Sequence, residues 1–139
     1  GAGRQRGGLG VVRQYRLLAE DAVLQLRADR YEHRPYGLFG GNPAAPSRNL
    51  LSLNGGAFEL LDSKVTRNVA KGDVIRHEQA GGGGYGDPLL RPLEQVLEDA
   101  LDGKITPAFA REHYRVVIED GRIDEKATAE LRNLQPELA

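Results

Sequence analysis

The stretch "HEQAGGGGYGDP", His77 to Pro88, holds the residue types of this chain that come nearest to chemistry. It contains a histidine, is preceded by Arg76, and places five glycines in the six positions from Gly81 to Gly86. Histidine can take and give a proton near neutral pH, and His77 stands at the end of a predicted strand beside a loop. That makes it the candidate general acid or base. Consecutive glycine N–H groups can form an anion-binding nest, so Gly81, Gly82, Gly83 and Gly84, with Arg76 before them, are candidate contacts for a phosphate or a carboxylate. The competing reading is a tight crossing where only bare Cα atoms fit, or a hinge. Each glycine held in one conformation costs about 0.5–1 kcal/mol relative to alanine, so such a run needs a reason. Gly81, Gly83 and Gly86 also satisfy G-x-G-x-x-G. A dinucleotide fingerprint requires a helix opening within the motif and a βαβ setting; here Asp87-Pro88 follows and hairpins precede, so the match is compositional.

A second candidate lies in "GLFGGNPAAPSRN", which ends in Ser47, Arg48 and Asn49. Arg48 could clamp an oxyanion through a bidentate contact, or it could satisfy loop carbonyls. Ser47 has no His/Asp partner evident in the sequence, so a triad is not supported. His33 and His113 are dispersed, and His113 falls in a predicted helix among charged neighbours, where a solvated ring is expected. With three scattered histidines and no cysteine, no metal site complete within the chain is expected. The segment could lend one ligand to a site completed elsewhere.

The elements that must position these residues change character along the chain. Sixteen of the eighteen glycines precede residue 87, which puts the turn-rich β region in front and the helices behind. The fold class is α+β: antiparallel β hairpins with long Gly/Pro loops over about residues 1–88, followed by a small helical tail over about residues 89–139. Gly10 to Leu18 and Ala22 to Ala28 read as strands, the second by its period-2 alternation, and the short "AED" between them predicts a hairpin. Tyr31 to Asn49 reads as an irregular loop whose aromatics and Leu38 favour a packed, ordered course. Asn54-Gly55-Gly56 predicts a hairpin turn, and Lys71-Gly72-Asp73 a turn feeding a strand from Val74 to Gln79. On that strand Ile75, His77 and Gln79 share one face, and Val74, Arg76 and Glu78 the other. Leu93, Val96, Leu97, Ala100 and Leu101 form a helical stripe ending at Gly103. Thr106-Pro107 opens a short helix, "RVVIEDGRI" reads as a strand and turn, and Asp124 caps a last helix carrying Ala127, Leu131 and Leu134.

Composition bounds the function. The 139 residues are about one domain in length, and 28% charged with 40% hydrophobic residues is the balance of a globular chain. A net charge of −1 argues against a nucleic-acid partner. No apolar stretch is long enough to span a bilayer, so no membrane partner is expected, and without cysteine the cytoplasm is the default compartment. The lack of any methionine suggests a piece of a longer chain.

Taken in order, "RGGLGVVRQYRLL", "YGLFGGNPAAPSRN", "SKVT", "KGDVIRHEQAGGGGYGDP", "VLEDALDGKIT" and "VVIEDGRIDEKAT" resemble the C-terminal segment of a hydantoinase B/oxoprolinase family subunit. The likeness is to N-methylhydantoinase B-like chains, with a relation to the large subunit of acetone-type carboxylases, and it runs from about Gly3 to Leu131. One departure is Asp62, where many relatives carry proline; it bears on a local turn. The resemblance implies ATP-dependent opening of a cyclic amide such as a hydantoin or 5-oxoproline. An A-type partner would bind ATP and Mg²⁺ and phosphorylate the amide oxygen, and the B-type part would process the activated intermediate by water attack. It also implies that the segment works with the remainder of the B-type subunit and is inactive alone. Metal and catalytic ligands of the wider family are expected upstream, so no metal ligand is carried onto these residues. Two roles follow: lining the active site through Arg48, Arg76, His77 and the glycine run, or serving as a non-catalytic assembly module of such a hydrolase or of an acetone-type carboxylase.

Overall fold

A strand with one apolar face must lay that face against another layer. In the computed structural model, which describes residues 1–133, the front strands do so by a pairing the sequence does not suggest. β1 (Val12–Arg16) and β2 (Asp21–Arg27) do not form the hairpin that "AED" predicts. β1 runs antiparallel to β6 (Val74–Glu78), and β2 antiparallel to β5 (Lys64–Ala70). Residues 12–27 and 64–78 are therefore one long two-stranded ribbon with a bend in it. Arg16 pairs with Val74 and Asp21 with Ala70, so residues 17–20 on one strand face only residues 71–73 on the other. One extra residue is the count of a β-bulge, which bends the strand that carries it. Leu17 holds the bend: its N–H donates to the Asp73 carbonyl at 2.9 Å and its carbonyl accepts the Gly72 N–H at 3.0 Å. With Leu17 committed to that turn, β1 and β2 diverge into different sheets.

β3 (Arg48–Ser52) pairs with the other side of β6, and β4 (Glu59–Leu60) with β3, giving a four-stranded antiparallel sheet in the order β1-β6-β3-β4. The β3–β4 connection turns where predicted. Asn54 and Gly55 both have positive φ, +50° and +74°, as a type I′ turn requires, and the Gly56 N–H donates to the Leu53 carbonyl at 2.8 Å. Leu51, Leu61 and Val69 form a buried core with Leu24, Leu26, Val65 and Ile75 packed against it. These strands belong to one compact unit, Gly8–Pro35 with Ala44–Gly82.

A second compact unit comprises Gly1–Gly7, Tyr36–Pro43 and the chain from Gly83 onward. The chain passes from one unit to the other within the glycine run, between Gly82 and Gly83. Its core is Ala2, Val96, Ala110, Tyr114 and Val116. α1 (Leu93–Leu101) stops at Gly103, φ +70°. Thr106 caps α2 (Pro107–Phe109), its hydroxyl accepting the Phe109 N–H at 3.1 Å, and a π turn over Ala110–Tyr114 continues it. A tight pair, β7 (Ile118–Glu119) and β8 (Arg122–Ile123), precedes α3 (Glu125–Asn133), where Asp124 accepts the Ala127 N–H at 2.9 Å. Leu134, placed on this helix by the sequence pattern, lies outside the described residues.

Two expectations are corrected in this unit. The α1 stripe does not run to Leu101, which is 64% exposed; Asp99, 3% exposed, turns inward instead. Asp99 is held there by charge, since its Oδ2 accepts from Arg91 Nη2 at 2.7 Å and from Arg6 Nε at 3.0 Å. The loop around Leu38 is ordered by backbone bonds rather than by ring packing. The Leu38 N–H donates to the Gly84 carbonyl and the Gly86 N–H to the Leu38 carbonyl, both at 2.9 Å, whereas Tyr36 and Phe39 are 72% and 78% exposed.

Candidate functional site

The β3–β6 register decides what stands beside His77. Its cross-strand partner is Asn49, and the amide Oδ1 of that buried asparagine meets the His77 Nδ1. An amide oxygen only accepts, so in this arrangement Nδ1 carries a proton, and Nε2 is left as the ring nitrogen with a lone pair. A histidine whose ring is fixed through one nitrogen by a buried partner has the geometry of a positioned acid or base.

His77 lines a cavity of about 450 Å³ whose wall includes Arg27, Asp29, Arg30, Ser47 and Gln79. Three local structures place these groups. β2 ends at Arg27, and Arg30 takes a left-handed backbone conformation, φ +61°. The Arg30 carbonyl accepts the Ser47 N–H at 2.8 Å, which closes the long loop just before β3. The Ser47 hydroxyl oxygen then accepts the Ala80 N–H at 3.1 Å, tying the wall to the residues after β6.

Arg48 and Arg76 are not brought to this cavity. Alternation along β3 and β6 puts them on the sheet face opposite Asn49 and His77. There both address Glu78: Arg76 Nε lies 2.9 Å and Arg48 Nη1 3.9 Å from its carboxylate. The glycine run is packed as bare backbone. A Cβ on Gly81 would overlap the Gly8 carbonyl oxygen, one on Gly83 the Tyr36 carbonyl oxygen, and one on Gly84 the Ala2 carbonyl oxygen. The Gly82 N–H donates to the Gly8 carbonyl and the Gly84 N–H to the Asn42 carbonyl, both at 2.9 Å. Those N–H groups are already engaged, and a short 3₁₀ turn, Pro88–Leu90, follows rather than a helix within the motif. The run therefore does not fit a nucleotide phosphate.

His113 is not a freely solvated ring. Its centroid lies 4.2 Å from that of Phe109, and its Nδ1 is 3.4 Å from Asn42 Nδ2. Among the described residues no group of three or more His, Asp or Glu side chains is arranged to hold a metal ion. No helix among them is long and apolar enough to cross a membrane. Sequence reasoning missed Asn49 as the partner of His77, and Arg27, Asp29 and Arg30 as wall residues. The signal that finds Asn49 is the β3–β6 register, which local pattern does not reveal; the wall residues follow from the course of the chain where β2 ends.

Residues 1–88 match the family model described as hydantoinase B/oxoprolinase. The chain belongs to that family. It is 36% identical, over 95% of its own length, to the B-type subunit of a putative D-/L-hydantoinase from a Pseudomonas strain, and covers 23% of that protein. An uncharacterized protein of Methanocaldococcus jannaschii is also 36% identical, over 96% of the chain and 24% of the relative. Among solved structures, the chain superimposes on the ATP-dependent caprolactamase of Pseudomonas jessenii with a TM-score of 0.85 and 30% identity, over 96% of this chain and 24% of that one. Acetone carboxylase follows with a TM-score of 0.77 and 25% identity. The chain thus spans about a quarter of the length of these relatives. Coverage of about 95% carries the helical residues after 88 into the same family likeness.

Proposed function

We propose that this chain is the C-terminal part of the B-type subunit of an ATP-dependent cyclic-amide hydrolase. In this reading an A-type partner holds ATP and Mg²⁺ and phosphorylates the oxygen of a hydantoin or lactam. The B-type subunit then brings water to the activated carbon, in a cytoplasmic hetero-oligomer. The observation that carries the reading is the superposition, over nearly the whole chain, on an enzyme described as an ATP-dependent caprolactamase. The backbone-filled glycine run is consistent with it, because the nucleotide is then held by another chain. Within this segment His77 is the group proposed to touch the reacting centre, with Asn49 as its positioning residue.

Phosphorylation answers a chemical difficulty. An unactivated amide is a poor electrophile with a poor leaving group, and transfer of a phosphoryl group to its oxygen relieves both. The test is to assay the complete B-type subunit with its A-type partner, ATP and Mg²⁺ against hydantoin, 5-oxoproline and caprolactam. Stoichiometric ATP hydrolysis with opening of at least one ring is expected. ATP-independent opening, or ATP-dependent carboxylation of a ketone in its place, overturns the reading.

A second reading, an assembly module, is favoured by one observation. Phe39 and Tyr85 are exposed and stand with ring centroids 5.1 Å apart, on backbone tied down by the Leu38 bonds to Gly84 and Gly86. Exposed aromatics held rigidly are characteristic of contact surfaces. Phe39→Ser with Tyr85→Ser discriminates. Loss of co-purification with the partner, with the folded chain intact, supports assembly; unchanged co-purification removes it.

A further inference from the structure

We infer that the cavity beside His77 is a binding site for a phosphate group, with Arg30, Arg27 and Ser47 as its donors. The charge balance points there. Among the described residues neither Arg27 nor Arg30 makes an ion pair, and the Arg27 side chain makes one hydrogen bond, to the Leu26 carbonyl at 3.0 Å. Against these two cations the wall sets one carboxylate, Asp29. Guanidinium groups without a carboxylate partner beside a concave site are the side chains best suited to hold a phosphate, through parallel N–H donors.

The neutral groups agree. Ser47 is 5% exposed, and its Oγ already accepts from Ala80, so its own proton is left to donate. His77 has Nδ1 committed to Asn49, and Nε2, when protonated, adds a further donor. Arg30 is presented from a left-handed backbone position, φ near +61°, which is unfavourable for a residue other than glycine, and such conformations gather at binding sites. The volume, about 450 Å³, is that of a small-molecule site.

Binding of a phosphate group stands on this geometry alone; its role as the holder of the phosphorylated amide rests on the proposed function. The phosphate could come from that intermediate or from the inorganic phosphate released after it. The test needs neither ATP nor a partner. The 139-residue chain is titrated with inorganic phosphate and, separately, with methyl phosphate at constant ionic strength, reading the ring ¹⁵N signals of His77 with those of His113 as internal reference. A saturable shift confined to His77 is expected. Arg30→Gln should weaken it about tenfold, the loss of one charge-assisted hydrogen bond. Arg48→Gln, on the opposite sheet face, should change it by no more than roughly twofold. Tighter binding of methyl phosphate assigns the site to the substituted phosphate, and preference for inorganic phosphate assigns it to the product. No saturable shift at tens of millimolar of either compound, or equal weakening by Arg30→Gln and Arg48→Gln with thermal stability unchanged, overturns the inference. Neither of these results touches the ring-opening assay, so the site can fail while the proposed function holds.

Discussion

At the scale of single residues, two buried side chains carry most of the consequence. Asn49 is 1% exposed and its Oδ1 meets His77 Nδ1. Its truncation removes the group that fixes the ring. In the complete enzyme, His77→Ala should lower turnover by about 10²–10⁴-fold, the usual contribution of a positioned acid or base, without loss of co-purification with the partner. Steady-state assays beside a pull-down test this; unchanged turnover with assembly intact removes His77 from the chemistry. Asn49→Ala should lower turnover less and also destabilise the chain by about 1–3 kcal/mol, the cost of orphaning a buried polar group. Asp99 is the structural counterpart. It is buried with Arg91 and Arg6 on one oxygen and Lys104 Nζ 3.7 Å from the other. Asp99→Ala leaves Arg91 and Arg6 without a carboxylate, Arg91 within the interior, while Lys104 keeps Asp102 at 2.8 Å; it should cost about 3–5 kcal/mol. Urea unfolding measures it, and a loss below about 1 kcal/mol, the range of an exposed pair, would show the cluster to be solvated. Neither role is legible in the sequence, because helical periodicity assigns α1 positions by hydrophobicity and is blind to an inward carboxylate with remote partners.

Elements show where sequence reading succeeds and where it stops. The turns at Asn54-Gly55, Gly72 and Asp120-Gly121 all carry the positive φ that their residues allow, and the Thr106 and Asp124 caps bond as their positions predict. Local chemistry determines each of these. The bent ribbon is not legible in the same way, since pairing β1 with β6 and β2 with β5 depends on contacts 37 to 66 residues apart in the chain. Asp73 is the residue that joins the two turns involved. Its carboxylate accepts the Ala70 N–H at 2.8 Å and the Asn54 N–H at 2.9 Å. These two bonds, the Ala70 one foremost, hold its pKa below the ordinary 3.8. A carboxyl with a depressed folded-state pKa contributes stability that is complete well above the unfolded value. As pH falls through about 3.8 and then through the lower folded value, that contribution is lost. Asp73→Asn should therefore be less stable than the parent at neutral pH, with the gap closing on acidification below pH 4. Thermal melts across that range decide it; a gap independent of pH would mean that the two N–H bonds do not act through the charge.

For the whole molecule the glycine run is the informative feature. The chain passes from one compact unit to the other inside it, and the glycines on either side of that passage each lie against a carbonyl of their own unit. Overlap with fixed backbone cannot be relieved by a rotamer change, so Gly81→Ala or Gly84→Ala should cost upward of about 1–3 kcal/mol. Gly8→Ala, whose Cβ would meet open space, should stay within about 0.5 kcal/mol. Differential scanning calorimetry of the three variants separates them, and equal tolerance at all three sites would mean that the run is a loose joint. A segment whose glycines serve its own packing, and which spans about a quarter of its relatives, supplies in the proposed reading only part of the machinery. The proposed reaction needs an activating phosphoryl donor before water can attack. The 139-residue chain alone, with ATP and Mg²⁺, should therefore open neither hydantoin nor 5-oxoproline and should hydrolyse no ATP above the uncatalysed rate. The complete subunit with its A-type partner should do both, as followed by phosphate release and by chromatography of the ring-opened acid. Ring opening by the isolated chain would place the whole reaction within this segment and refute the division of labour proposed for it.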